Sequence, residues 1–179
     1  MRNFELIVGP VCSGKSAELI RRVDRYQIAG QKTLLVKPSI DSRSEYIKSR
    51  NGTELKCVKI KNVEEIIPFL SEKYDIIAFD EAQFFDGLFN LISQLLKRKY
   101  KVILSALDAD FHGESFKEVP KLIILADSVT KLTAICMKCR SDNAIFSQKL
   151  VKGGNQIQVG DLDLYEPRCS KCFIPGGLD

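Results

Sequence analysis

Gly9-Pro10-Val11-Cys12-Ser13-Gly14-Lys15-Ser16 follows the apolar run Phe4-Glu5-Leu6-Ile7-Val8 and precedes Ala17-Glu18-Leu19-Ile20-Arg21-Arg22-Val23, a run of helical character. The order strand, glycine-bounded loop, helix is the context that a nucleotide phosphate-binding loop requires. Backbone N–H groups of such a loop converge on phosphate oxygens, and the helix N-terminus adds its partial positive charge. Lys15 is spaced to reach the β- and γ-phosphates, and Ser16 to offer a hydroxyl to a magnesium ion. The stretch indicates a nucleoside triphosphate and leaves open what the triphosphate is for.

A second constellation completes the site. Asp75-Ile-Ile-Ala-Phe-Asp80-Glu81-Ala82-Gln83 is an apolar strand that ends in two acids. Asp80, at the strand's C-terminal end, suits magnesium, directly or through water. Glu81, one residue on, is placed to take a proton from whatever hydroxyl attacks the γ-phosphate. Gln83 is grouped with the nucleotide-binding residues. Two reaction classes fit: a hydrolase, if Glu81 activates water, and a kinase, if it activates a substrate hydroxyl. Asp80–Gln83 also brushes against the acidic box of helicases, but 179 residues leave no room for the second nucleotide fold that strand translocation needs.

Outward from these motifs, apolar runs of strand length recur at Phe4–Val8, Thr33–Lys37, Ile76–Phe79, Val102–Ala106 and Val129–Ile135. Their near-continuous apolar character suits strands buried on both faces, hence a parallel sheet. Between them lie helical candidates at Ser16–Ala29, Val63–Glu72, Gly87–Arg98 and Glu118–Ala126. Alternation of this kind gives an α/β sheet with helices on both faces. Ser39–Thr53 is polar and charged and reads as a mobile loop or short connector beside the active face. Pro175–Asp179 reads as a disordered tail.

After Ile135 the character changes. Cys136-Met-Lys-Cys139 and Cys169-Ser-Lys-Cys172 form two C-x2-C pairs. Four thiolates suit tetrahedral zinc, and a site closed by four cysteines has no open position for catalysis. The long span between the pairs makes it a pinned loop rather than a compact ribbon. The expected division is residues 1–135 as the nucleotide-binding unit and 136–179 as a zinc-bearing one. Cys12 and Cys57 are left as unligated thiols. His112, the single histidine, reads as a loop residue next to the pocket.

Lys and Arg total 27 against 23 Asp and Glu, a net charge of +4, spread along the chain rather than clustered. Neither a nucleic-acid surface nor a membrane span is expected. Phe4–Val8 is too short for a signal-peptide core, which leaves a cytoplasmic location as the expectation.

Taken together, GPVCSGKSAELIRRV (9–23), DEAQFF (80–85), SALDADFHGESF (105–116), ADSVTKLTAICMKC (126–139) and YEPRCSKC (165–172) resemble the type II, zinc-containing thymidine kinases, in order and across Phe4 to Phe173. The resemblance implies a RecA-like α/β phosphate-loop domain with a parallel sheet plus a small zinc-bearing lasso domain. It implies transfer of the ATP γ-phosphate to the 5′-hydroxyl of thymidine, or of deoxyuridine, with Mg2+ and a structural Zn2+, in nucleotide salvage for DNA synthesis. Glu81 matches the family's catalytic base, and Arg43 a residue that stabilises charge near the transferred phosphate, within a D-x-R motif that begins at Asp41. Phe84, Leu107, Phe111 and Phe116 match the walls of the nucleoside pocket. Gly160 and Tyr165 match lasso positions that contact the nucleoside. By the same resemblance the enzyme is a homotetramer inhibited by thymidine triphosphate.

Overall fold

The computed structural model describes residues 3–40, 46–48, 54–151 and 164–177. Strand β1 (Phe4–Val8) and helix α1 (Lys15–Ile28) lead into β2 (Thr33–Pro38), the short strands β3 (Tyr46–Lys48), β4 (Glu54–Lys56) and β5 (Val58–Ile60), and a 3-10 helix over Val63–Ser71. Next come β6 (Ile76–Phe79), a 3-10 turn at Ala82–Phe84, α2 (Leu88–Lys97), β7 (Lys101–Ala106), α3 (Val119–Leu125) and β8 (Ser128–Lys131). The strands β9 (Phe146–Lys149) and β10 (Tyr165–Arg168) complete the order.

Six strands form one sheet in the order β5-β2-β6-β7-β1-β8, and each neighbouring pair is parallel. Side chains alternate between its faces, and both faces are covered. Leu6, Leu34, Ile77, Phe79 and Leu104 pack under Val63–Ser71, α2 and α3. Ile7, Leu35, Ile76, Ala78 and Ile103 pack against Leu19, Ile20 and Val23 of α1. This two-sided burial is why the strands read as unbroken apolar runs. Full burial of one such side chain is worth about 1.5–3 kcal/mol before the entropy of ordering it is subtracted.

Four local expectations are corrected. Val63–Ser71 is a 3-10 rather than an α-helix, because Pro68 sits inside it and has no N–H for the α ladder. Val63 and Ile66 are buried while Ile67 is exposed. Within Ser39–Thr53, Tyr46–Lys48 forms β3 and pairs antiparallel with β4, and Ile47 packs beside α1. β8 ends at Lys131, earlier than the apolar run suggests, because the chain turns off the sheet toward Cys136. The tail is tied down as far as Gly176: its N–H donates to Phe111 O at 3.0 Å, and the Ile174 backbone is bracketed by the Gln148 amide.

The antiparallel hairpin of β9 and β10 stands apart from the sheet, with Tyr165 opposite Lys149 and Arg168 opposite Phe146. Its base is the cysteine cluster, where Cys136 and Cys169 bury with Ala134 and Ala144.

Candidate active site

The C-terminal ends of β6, β7 and β1 lie side by side in the sheet, with β7 between the acidic strand and the phosphate-loop strand. Ligands of open α/β sheets bind outside these strand ends. β1 delivers the loop from Gly9 to Ser16, β6 delivers Asp80 and Glu81, and β7 delivers Ser105 and Leu107.

The loop's shape explains its residue types. A Cβ on Gly9 would stand 2.5 Å from Leu132 O and 2.9 Å from Ser13 Oγ, so only glycine fits. Gly14 caps α1 with φ 86°, and Cys12 also takes a positive φ of 64°. The Pro10 carbonyl accepts two bonds, from Ser13 Oγ at 2.9 Å and from Lys15 Nζ at 2.7 Å. Lys15 is almost fully buried, and that burial pushes its pKa down; the carboxylates of Glu81, Asp80 and Asp108 pull the other way. Asp108 itself is paired with Lys131 at 2.7 Å.

Asp80 joins the two halves of the site. Ser16 Oγ donates to its carboxylate at 3.0 Å, and Ser105 Oγ donates to Oδ1. Burial raises the Asp80 pKa to about 6, with the neighbouring Glu81 charge acting in the same direction and the two hydroxyls and Lys15 opposing. A hydroxyl and a carboxylate are hard oxygen donors of the kind magnesium takes, so this pair is suited to hold it.

Glu81 adopts a left-handed conformation, φ 51°, at the turn after β6. Its carboxylate accepts from Gln83 Nε2 at 2.6 Å, and Gln83 Oε1 accepts from the Leu107 N–H at 3.0 Å. Gln83 is 1% exposed and ties the acidic turn to the end of β7. Such a non-glycine outlier persists only when its surroundings hold it.

Beyond Leu107 a loop carries the aromatic residues. Phe84 meets Phe116 edge to face at 6.1 Å, and Phe111 and Phe116 are buried. Asp110 folds this loop by accepting from the N–H groups of His112 at 2.8 Å and Glu114 at 3.0 Å. His112 is an exposed loop residue whose ring lies against Phe111, tilted by 38° with centroids 4.1 Å apart. The hairpin reaches the same loop: Lys149 Nζ lies 4.6 Å from the Phe111 ring centroid, and burial together with the Asp110 charge raises the pKa of Tyr165. Asp41, Arg43 and Gly160 lie outside the described residues.

The sulfurs of Cys136, Cys139, Cys169 and Cys172 all lie within 4.8 Å of one another. Tetrahedral zinc with bonds of about 2.3 Å sets its sulfurs about 3.8 Å apart, and the Cys139–Cys169 separation is 3.6 Å. Burial alone would raise the Cys136 thiol, but the N–H groups of Cys139, Cys169 and Lys138 outweigh it and bring the pKa down to about 6. The donor set fits a closed structural zinc site. Cys57 is buried and Cys12 half-buried, and neither forms a disulfide.

Sequence reading missed Ser105, Ser147 and Lys149. Ser105 was visible as the one polar residue in the apolar run Val102–Ala106, at a strand end. Ser147 and Lys149 gave only a weak period-2 signal in a stretch without other markers. Among the described residues no helix is long and apolar enough to cross a membrane. Compared with known families, residues 2–173 match the family described as thymidine kinase.

Proposed function

The chain belongs to the thymidine kinase family, whose members phosphorylate thymidine with ATP, and on that premise we propose that this protein transfers the γ-phosphoryl group of ATP to the 5′-hydroxyl of thymidine, with deoxyuridine as a second acceptor and Glu81 as general base. The observation that carries this reading is the bond between Ser16 and Asp80, 64 residues apart, which sets Glu81 beside the phosphate loop.

In the proposed reaction Lys15 and the loop amides hold the β- and γ-phosphates. Ser16 and Asp80 would hold Mg2+, which when bound offsets the charge on the phosphate oxygens. Glu81, braced by Gln83, takes the proton of the 5′-hydroxyl as that oxygen bonds to the γ-phosphorus. The bond from the γ-phosphorus to the bridging oxygen breaks, and ADP leaves with that oxygen. Arg43 offsets charge on the transferred group. Phe84, Leu107, Phe111 and Phe116 enclose the nucleoside, while Asp41, Gly160 and Tyr165 contact it. We read residues 1–135 as the nucleotide-binding unit and 136–179 as the lasso unit, in which zinc fixes the hairpin base and is not catalytic. The proposal extends to a cytoplasmic homotetramer acting in salvage for DNA synthesis, inhibited by thymidine triphosphate.

The test is ADP release from ATP and magnesium with thymidine, with single-stranded DNA, and with neither. Turnover with thymidine alone, and thymidine monophosphate as product, supports the reading. Turnover driven by DNA and indifferent to thymidine overturns it.

A further inference from the structure

A hydrogen bond joins the cysteine-pinned hairpin to the phosphate loop, and the proposed chemistry does not use it. Ser147 on β9 is 3% exposed, and its Oγ accepts the N–H of Val11 at 3.0 Å. Alternation along the strand puts Ser147 and Lys149 on one face and Phe146 and Gln148 on the other. The second face is locked in place. Phe146 stacks on Phe173 at 4.3 Å with planes 9° apart, and the Gln148 amide exchanges two hydrogen bonds with the Ile174 backbone. The first face meets the site: Lys149 reaches the Phe111 ring, and Ser147 reaches the loop.

The bonded group matters. The Val11 N–H and the Pro10 C=O belong to one peptide unit, which is planar and turns as a single plate. Its oxygen side holds Lys15 Nζ at 2.7 Å and Ser13 Oγ at 2.9 Å. Its nitrogen side donates to Ser147 Oγ at 3.0 Å. Rotation of the plate would break the Lys15 contact, and Ser147 opposes that rotation from the far side. A hydrogen bond of this kind contributes about 0.5–1.5 kcal/mol net.

We propose that Ser147 is a positioning residue for the phosphate loop: through the Val11 amide it fixes the peptide plate that seats Lys15, and so links the seating of the zinc-pinned hairpin to nucleotide affinity. The inference rests on the phosphate-loop reading above. It assigns the hairpin a role toward ATP in addition to its role toward the nucleoside.

The experiment compares wild type, Ser147→Ala and Ser147→Thr, each checked for zinc content and melting temperature. Binding of a fluorescent ADP analogue is titrated without nucleoside, and KM for ATP and for thymidine are measured. The expected result is ADP-analogue affinity and KM for ATP worse by about 3- to 10-fold in Ser147→Ala, thymidine KM within about twofold, and recovery in Ser147→Thr, which keeps the hydroxyl. Unchanged nucleotide affinity in a zinc-replete Ser147→Ala protein overturns the inference and leaves the kinase reading standing. A parallel rise in thymidine KM, or no recovery in Ser147→Thr, also overturns it, because the hairpin would then have loosened as a whole. Failure of the wild type to bind the analogue removes the phosphate-loop reading and this inference with it.

Discussion

Lys15 and Asp80 are held from beneath by a six-stranded parallel sheet with helices on both faces, whereas Ser147, Lys149 and Tyr165 ride on a two-stranded hairpin. Among the described residues, the buried cluster around the cysteines has only Ala134 and Ala144 besides sulfur-bearing residues. An isolated two-stranded hairpin is marginal in water. The first region fixes its site by apolar burial and register. Among the described residues, the second has a small apolar cluster and is held by a four-sulfur group, the Phe146–Phe173 stack and the Gln148 clamp on Ile174. The comparison teaches that the two halves should fail separately: chemistry can be lost with the fold intact, and the metal can be lost with the sheet intact.

The largest effect is expected in the sheet-held half. Glu81→Gln keeps a side chain of the same shape beside Gln83 and removes the carboxylate. Turnover should drop by about 100- to 10,000-fold, the usual scale of general-base catalysis. Melting temperature and nucleotide binding should stay near wild type. Steady-state kinetics beside a thermal melt checks both, and near-normal turnover would remove Glu81 from the mechanism.

The hairpin half breaks next. Cys136→Ser or Cys172→Ser leaves three thiolates and should lose the zinc, measured by metal analysis of purified protein. Far-UV circular dichroism should change little, because the sheet and its helices do not depend on the cluster. Thymidine KM should rise by about tenfold or more, while nucleotide affinity falls no further than it does in Ser147→Ala, since the Ser147–Val11 bond is the proposed link from the hairpin to the loop. Loss of most helical signal together with the zinc would show that the two regions are one cooperative unit.

The same contrast explains what was legible in the sequence. The phosphate loop, the acidic strand end and the buried strands rest on short-range chemistry, in which each residue type is demanded by its own backbone or ligand. Gly9 is one case: the reason only glycine fits is a contact to Leu132, yet its place in the loop pattern already marked it. The cysteine pairs were legible for the same reason. Pro68 carried a warning against an α-helix that the apolar spacing of Val63, Ile66 and Leu70 outweighed. Three features had no local signature. Strand β5 has a lysine between its two apolar residues, Val58 and Ile60, and is defined by pairing with β2. Gln83 reads as a nucleotide-binding residue, and its bonds to Glu81 and the Leu107 N–H, which brace the acidic turn, have no local signature. Ser147 acquires meaning from a partner 136 residues away. Long-range polar contacts of this kind leave no periodic trace, because one serine between Phe146 and Gln148 is ordinary.

The last effect leaves the chemistry aside and tests whether the sheet-held half bears a stability penalty for its buried acid. Asp80 has an ordinary carboxylate pKa near 3.8 when unfolded and about 6 in the folded, ligand-free protein, chiefly through burial and secondarily through Glu81. Because the folded value is the higher one, the folded state binds more proton between these limits. The contribution is therefore most favourable below about pH 4 and is lost as pH rises through about 6. Asp80→Asn removes the charge and keeps an acceptor for Ser16 and Ser105. Above pH 6 the ligand-free variant should gain stability, by about 3 kcal/mol at most for a shift of this size. At pH 4 it should gain little. Thermal melts of both proteins at pH 4, 5, 6 and 7.5 should diverge upward in pH, and magnesium should raise the melting temperature of nucleotide-bound wild type but not of the variant. Parallel melting curves across that range would show that Asp80 is already compensated by Ser16, Ser105 and Lys15, and that its burial carries no penalty for the sheet.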